Sequence, residues 1–290
     1  SNTLYDRKIS QLEETSIIDL VPNVQKQGMK WLLKNMDKDD KNILSTSFLI
    51  DNCNYAYEAW DNAPWGMVDE SLFFEYVLPF SSLNERRDNW RQDFYERFFP
   101  IVKNAKSAYE AAAILNNNIF EMVGVIYSTK RPKADQSPYE SIDAGLASCT
   151  GLSFMLIDAC RSVGIPARFV GTPMWYNNSG NHSWVEIWDN GWHVTGAFEP
   201  TGDRLNEGWF ASLAARAVEG HPEYGIYAAT WKKTGIFFPM DWKPGVEKYY
   251  AYDVTSSYQN YLDDNFVPLR IKVVGKNGMR KKVLVDVKAD

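Results

Sequence analysis

The sequence predicts an α+β protein: a mostly helical region over residues 1–128, a core of helix packed on antiparallel sheet over 129–265, and a short β-rich tail over 266–290. Three observations carry this reading. The first part holds stretches whose apolar residues recur at helical spacing. Leu152, Met155, Leu156, Ala159 and Val163 then share one helical face, which Gly164 and Pro166 end. Soon afterwards, residues 180–200 alternate on both sides of Asp189-Asn190-Gly191, a hairpin signal.

In order along the chain, DNAPWG (61–66) is a loop by its Pro and Gly. In NERRDNWRQDFYERFF (84–99), Trp90, Phe94 and Phe98 fall at i, i+4 and i+8, and Pro100 marks a helix end. AKSAYEAAAILNNNIFEMV (105–123) is rich in helix-compatible residues, with Tyr109, Ala112, Ile119 and Met122 available to face a core. Residues 129–148, with Pro132, Pro138 and Gly145, read as a loop leading into the central helix. Residues 201–222 look like a loop and short helix, and TGIFFPMDWKPG (234–245) is broken by Pro and Gly. The stretch 267–290 predicts a β-hairpin around KNG, the possible start of a small β module.

Composition narrows the function classes. A hydrophobic fraction of 45% and a charged fraction of 23% are those of a globular protein, and 11 Trp, 16 Tyr and 15 Phe suit a large core or a groove for sugars or peptides. A net charge of −6 and the lack of basic runs give no reason to expect nucleic acid as a partner. No apolar run has the length of a membrane span. The chain starts at SNTLYDRK without an initiator Met, which suggests processing or trimming and hides the compartment; a periplasmic or secreted setting is favoured over the cytoplasm. The oligomeric state is left open. With no HExxH, no paired CxxC and three dispersed histidines, no metal site is expected, and no cofactor either.

The stretch ASCTGLSFMLIDACRSVGIPAR (147–168) holds Cys149 and Cys160. Eleven residues of helix separate them by roughly 16 Å, too far for a disulfide. Cys160, inside the helix, and Cys53 are expected as small core residues. Cys149 falls at the helix start, where unpaired N–H groups and the macrodipole favour a thiolate. A cysteine so placed is more often structural than reactive, and it becomes a nucleophile only with a base.

Two of the three histidines, His182 and His193, lie in GNHSWVEIWDNGWHVTGAFEP (180–200). A two-residue turn at Asn190-Gly191 would oppose Ile187 to Val194, Val185 to Gly196 and His182 to Glu199, keeping one side mostly apolar. Glu199 would then stand across from His182 with Cβ atoms on the order of 5 Å apart. A thiolate, an imidazole and an orienting carboxylate make a nucleophilic triad. Spacing does not decide whether Cys149 meets His182; a strand histidine satisfied by Glu199 is the competing reading.

A Cys at a helix start, VGIPAR on the next strand, then NHSWVEIW and a GW strand, resemble the transglutaminase-like superfamily over roughly residues 127–201. SCTGLS, GIPARFVGTP, GNHSWVEIWDNGWH and LNEGWF are similar to bacterial transglutaminase-domain proteins in particular. The resemblance implies a papain-like core with Cys149 as nucleophile and His182 as base. Its usual third member, an Asp in W-x-x-x-D-P, is missing: Trp192 plus four is Gly196, and the first acidic residue is Glu199 before Pro200. Glu199 is the expected substitute.

The expected activity is acyl transfer or hydrolysis at amide bonds of a protein, peptide or glycopeptide through a thioester, with hydrolysis favoured over cross-linking. Peptide:N-glycanases share the core, which keeps glycosylated asparagine among the substrates. The Cys149 N–H is a natural oxyanion donor, with Trp65 or Asn84 as candidates for a second. The alternative is an inactive scaffold that binds a peptide or glycan on aromatic side chains. Trp175 and Trp184 are the candidate substrate contacts in either case.

Overall fold

The computed structural model describes residues 3–259 and 273–276; the hairpin expected at 267–290 lies almost wholly outside the described residues. The N-terminal region is helical: α1 (Glu14–Ile18), α2 (Lys26–Asn35), α3 (Lys38–Ile43), α4 (Thr46–Asn62), α5 (Glu70–Tyr76), α6 (Arg91–Val102) and α7 (Ala108–Val123). β1 (Ile126–Tyr127), α8 (Pro138–Ala144), β2 (Leu146–Ala147) and α9 (Cys149–Ser162) follow. Then come β3 (Ala167–Thr172), β4 (His182–Trp188), β5 (Trp192–Thr195), α10 (Ala211–Ala214), β6 (Tyr227–Thr230), β7 (Tyr250–Asp253) and α11 (Thr255–Tyr258). The main sheet is antiparallel in the order β5-β4-β3-β6-β7. None of the helices is long and apolar enough to cross a membrane among the described residues.

α9 is the centre of the molecule. Every residue from Thr150 to Ser162 is buried, because α9 lies between β3 and β4 on one side and α4, α6, α7 and α8 on the others. One hydrophobic cluster joins Phe94 and Phe98 of α6, Leu115 and Ile119 of α7, Phe154 and Leu156 of α9, and Phe169 and Val185 of the sheet. This core crosses residue 128, so α6 and α7 pack with the sheet. A second cluster, within residues 9–80, holds the earlier helices together.

A fully buried helix has no solvent for its charges, and Arg161 shows how that is met. Its Nη1 donates to the carbonyls of Pro79 and Ser81, each at 3.1 Å, and Nε and Nη2 donate to the Ala167 carbonyl at 3.2 and 2.9 Å. Arg91 donates from Nη2 to the carbonyls of Val77 and Leu78 at 2.6 and 2.8 Å. The irregular segment after α5 is thereby fastened to α6 and α9 by buried guanidinium groups that satisfy its carbonyls.

Several elements differ from expectation. α6 starts at Arg91, because residues 82–90 close a loop in which the Glu85 carboxylate accepts from the amides of Ser82 and Leu83 at 2.6 and 2.8 Å. It runs on through an exposed Pro100 to bury Val102. On α7, Ala112 and Ile119 are buried but Met122 points outward, 46% exposed. The loop expected at 129–148 contains α8. Its signals are in Ser-Pro-Tyr-Glu: Ser137 and Glu140 form a capping box, Pro138 sits in the first turn, and Gly145 caps the end with φ 66°.

The hairpin register is also corrected. Trp188 opposes Trp192, Ile187 opposes His193, Glu186 opposes Val194 and Val185 opposes Thr195, one residue away from the expected pairing. Asp189, Asn190 and Gly191 form a three-residue loop, with Asn190 at φ 53° and the Asp189 carboxylate drawn to the Tyr109 amide at 2.9 Å. The expected register assumed one wet face. β4 is buried on both faces from His182 to Ile187, so polar–apolar alternation does not select the register.

Replacing Arg161 with Ala should strip hydrogen bonds from three buried carbonyls and take from the buried Asp158 one of its two nearby cations, leaving Arg91. The expected loss is about 3–5 kcal/mol of unfolding free energy, read from urea titration of the folded chain.

Candidate active site

Ser148 caps α9. Its Oγ accepts from the Gly151 amide at 3.1 Å and donates to the Ala134 carbonyl at 2.5 Å, which holds the helix start in place. Cys149 is the first helical residue and is only partly buried. One residue on, the Thr150 and Ser183 hydroxyls lie 3.1 Å apart and tie the helix start to the beginning of β4. That tie sets the Cys149 thiol against His182, the first residue of β4. Burial pushes the thiol up, but the hydrogen bond and charge of His182, with the Ser183 amide, outweigh it and hold the thiol below its ordinary value.

His182 is buried among rings: Trp209 at 4.8 Å, Phe210 at 5.0 Å, Trp184 at 5.8 Å and Trp175 at 6.3 Å between centroids. Its Nε2 faces Glu199 Oε2 at 3.6 Å, a charge contact longer than a hydrogen bond. The same imidazole is hydrogen-bonded to the Cys149 thiol. Burial disfavours the imidazolium, yet Glu199 and the Cys149 contact win and raise His182 to about 9. The lowered thiol and the raised imidazole are shifts in the direction that favours a thiolate beside an imidazolium.

Glu199 comes to His182 by a turn, where sequence reasoning expected a cross-strand pair. β5 ends at Thr195, and the chain reverses over Gly196–Glu199 with the Glu199 amide bonded to the Gly196 carbonyl at 3.0 Å. Phe198 takes φ 63°, a strained value for a residue with a side chain. Asn116 of α7 holds that turn: its Nδ2 donates to the Gly196 carbonyl at 2.8 Å, and its Oδ1 accepts from the Phe198 amide at 2.9 Å. Gly196 leaves the room. A Cβ there would stand 2.5 Å from Glu199 Oε2, so the carboxylate fills space that any side chain at 196 would claim. Trp209 Nε1 then donates to the same Oε2 at 2.6 Å.

Cys149, His182 and Glu199 are thus together, and the two expected substrate contacts lie buried beside His182. Trp184 is fully buried, stacks on Phe210 at 4.5 Å and donates to the Tyr258 hydroxyl at 2.8 Å; Trp175 is 3% exposed. Neither offers a face to a ligand, which corrects the substrate-contact reading: both line the wall behind His182. His193 bonds the Asp189 carbonyl through Nε2 at 2.9 Å, and His221 accepts the Glu223 and Tyr224 amides on Nδ1. Cys53 and Cys160 are buried, and burial pushes both thiols up, Cys53 to about 12. Asn84 spends its amide on Asp135 at 2.6 Å, and Trp65 lines a cleft with Trp188 and Asn190. Asn116 and Trp209 were not singled out from sequence. Only Trp209 had a signal, as the Trp of LNEGWF.

A helix-start thiol facing a strand histidine on an antiparallel sheet is the papain-like arrangement. Within that class, the family model described as the Transglutaminase-like superfamily matches residues 97–197, from α6 through β5. This segment is therefore transglutaminase-like, and it contains Cys149 and His182 but stops short of Glu199. The match supports a cysteine-based hydrolase or acyltransferase in general terms. Among solved structures, a protein of Cytophaga hutchinsonii described as a candidate cysteine protease is similar at 18% identity and a TM-score of 0.36, over 46% of this chain and 44% of that one. The chain thus spans less than half the length of that protein. No curated protein matches it.

Gly196→Ala should push Glu199 off His182, and Trp209→Phe should free Glu199 to move. In both variants His182 is expected to titrate about one unit or more below the parent chain, where it titrates near 9, as read by NMR of the imidazole. An unchanged titration in both would show that Glu199 does not set the charge of His182.

Proposed function

We propose that this chain cleaves amide bonds of peptides or glycopeptides with Cys149 as nucleophile, His182 as proton carrier and Glu199 as the carboxylate that orients and charges His182. The observation behind this reading is the thiol held low beside an imidazole raised to about 9 at the start of α9. The thiolate attacks the carbonyl carbon, and the imidazolium gives its proton to the departing amine as the C–N bond breaks. Water then adds to the thioester, His182 takes its proton, and the acid leaves as the thiol is restored. The Cys149 amide, in the unpaired first turn of α9, is the natural donor to the oxyanion.

Hydrolysis is favoured over transfer to an amine because Cys149 is only partly buried, which lets water reach the thioester. A purely binding role has less support, since Trp175 and Trp184 have no free face.

The test combines labelling with turnover. Alkylation of Cys149 should be fast at pH values below the usual thiol range of about 8.5 and slow markedly in His182→Ala. Peptide amide hydrolysis should hold through neutral pH and fall as pH rises through about 9, where His182 loses the leaving-group proton; alkylation, which needs only the thiolate, should not fall there. Intact-mass analysis should find the acyl group on Cys149 and none on Cys149→Ala. Labelling of Cys149 with an ordinary thiol profile would count against this assignment.

A second expectation follows from Gly196. The double variant Gly196→Asp with Glu199→Ala places the carboxylate where the family pattern has it. It should recover about a tenth or more of the activity that Glu199→Ala alone loses, measured on the same peptide substrate.

A further inference from the structure

Away from Cys149, a cleft of about 310 Å3 opens between the N-terminal helices and the segments around β6 and β7. Its size is at the lower end for small-molecule sites. Its charge is the unusual feature. In a chain of net charge −6, six cationic side chains line this cleft against two carboxylates, Asp37 and Asp40.

Three of the six are already committed. Arg87 pairs with Asp40 at 3.0 Å, Lys248 with Asp37 and Asp39 at 2.6 and 2.5 Å, and Lys41 with Glu14 at 2.8 Å. Lys34, Lys38 and Lys233 have no carboxylate partner among the described residues; the first two come from α2 and α3 and the third from the segment after β6. Ser82, another lining residue, is 5% exposed with a hydroxyl that has no hydrogen-bond partner. Tyr249 and Tyr250 add half-buried ring surface to the wall.

We infer that this cleft binds a small polyanion, whose anionic groups meet Lys34 and Lys38 on one wall and Lys233 on the other. The paired Arg87 and Lys248 hold the shape of the wall, while the three unpaired lysines carry the attraction, which is strengthened by the low-dielectric floor. Carboxylate and phosphate groups share this chemistry. The tyrosine wall suits a carboxylated saccharide, since sugar C–H faces pack on rings; a phosphorylated metabolite is the other source. The inference does not depend on the chemistry of Cys149.

Isothermal titration calorimetry of the full chain with citrate, pyrophosphate, digalacturonate and the neutral sugar maltose tests it. At least one anion should bind with Kd below about 1 mM at about 150 mM salt, and maltose should not. The pattern among the anions separates carboxylate from phosphate sources. The triple variant Lys34→Ala, Lys38→Ala, Lys233→Ala changes only exposed side chains and should weaken that binding at least about tenfold, with Cys149 alkylation unaltered. Equal binding of maltose, no binding by any anion, or full affinity in the triple variant would each overturn the inference.

Discussion

The contact between Cys149 and His182 is the constraint from which the rest of the site follows. A thiolate and an imidazolium are stable together only where their charges are met, and the buried His182 has little water to meet its own. Fixed groups take its place. The first turn of α9 and the Ser183 amide face the thiolate, and Glu199 faces the imidazolium from the other side. Each element that positions one of these groups is held by a neighbour with its own buried bond: Ser148 on Ala134, Thr150 on Ser183, Asn116 on the 196–198 turn, and Trp209 on Glu199. Polar bonds of this kind each contribute only about 1 kcal/mol of net stability. Their larger effect is to remove alternative geometries.

The same logic explains why α9 is surrounded. An α9 open to solvent on one side could tilt, and a shift of the helix start by about 1 Å would misplace a nucleophile. Packing against four helices and two strands prevents this, at the cost of burying Asp158, Arg161 and Ser162. Arg161 and Arg91 convert that cost into connection, since Nη1 of the first and Nη2 of the second donate to carbonyls of the segment after α5. The N-terminal helices thus help to position Cys149, which accounts for a hydrophobic core that runs through residue 128 without a break.

How much of this was legible in the sequence depended on whether the signal was local. The α9 boundaries were, because Cys149, Gly164 and Pro166 bracket one apolar face. The buried positions Trp90, Phe94 and Phe98 were, from simple spacing. α8 was legible and overlooked: the capping box at Ser137 is a stronger signal than the two prolines that suggested a loop. The hairpin register was not, because β4 is buried on both sides and the Asp189 carboxylate is pulled onto α7, a partner eighty residues away. Asn116 was illegible for the same reason. An asparagine in Asn-Asn-Asn on a helix carries no sign that one of the three reaches a turn after β5.

Glu199 is the instructive case, since its proximity to His182 was expected on a register that proved wrong. The pairing arithmetic placed it across the ladder; a left-handed Phe198 and the space over Gly196 place it there instead. The glycine at 196 and the glutamate at 199 therefore belong together. A Cβ at 196 would stand 2.5 Å from Glu199 Oε2, so a side chain there would force the carboxylate to shift. The longer glutamate reaches back over the turn, and Trp209 fixes the oxygen that faces His182. What the turn supplies is a carboxylate 3.6 Å from Nε2, and the space that lets it reach there is left by the glycine at 196.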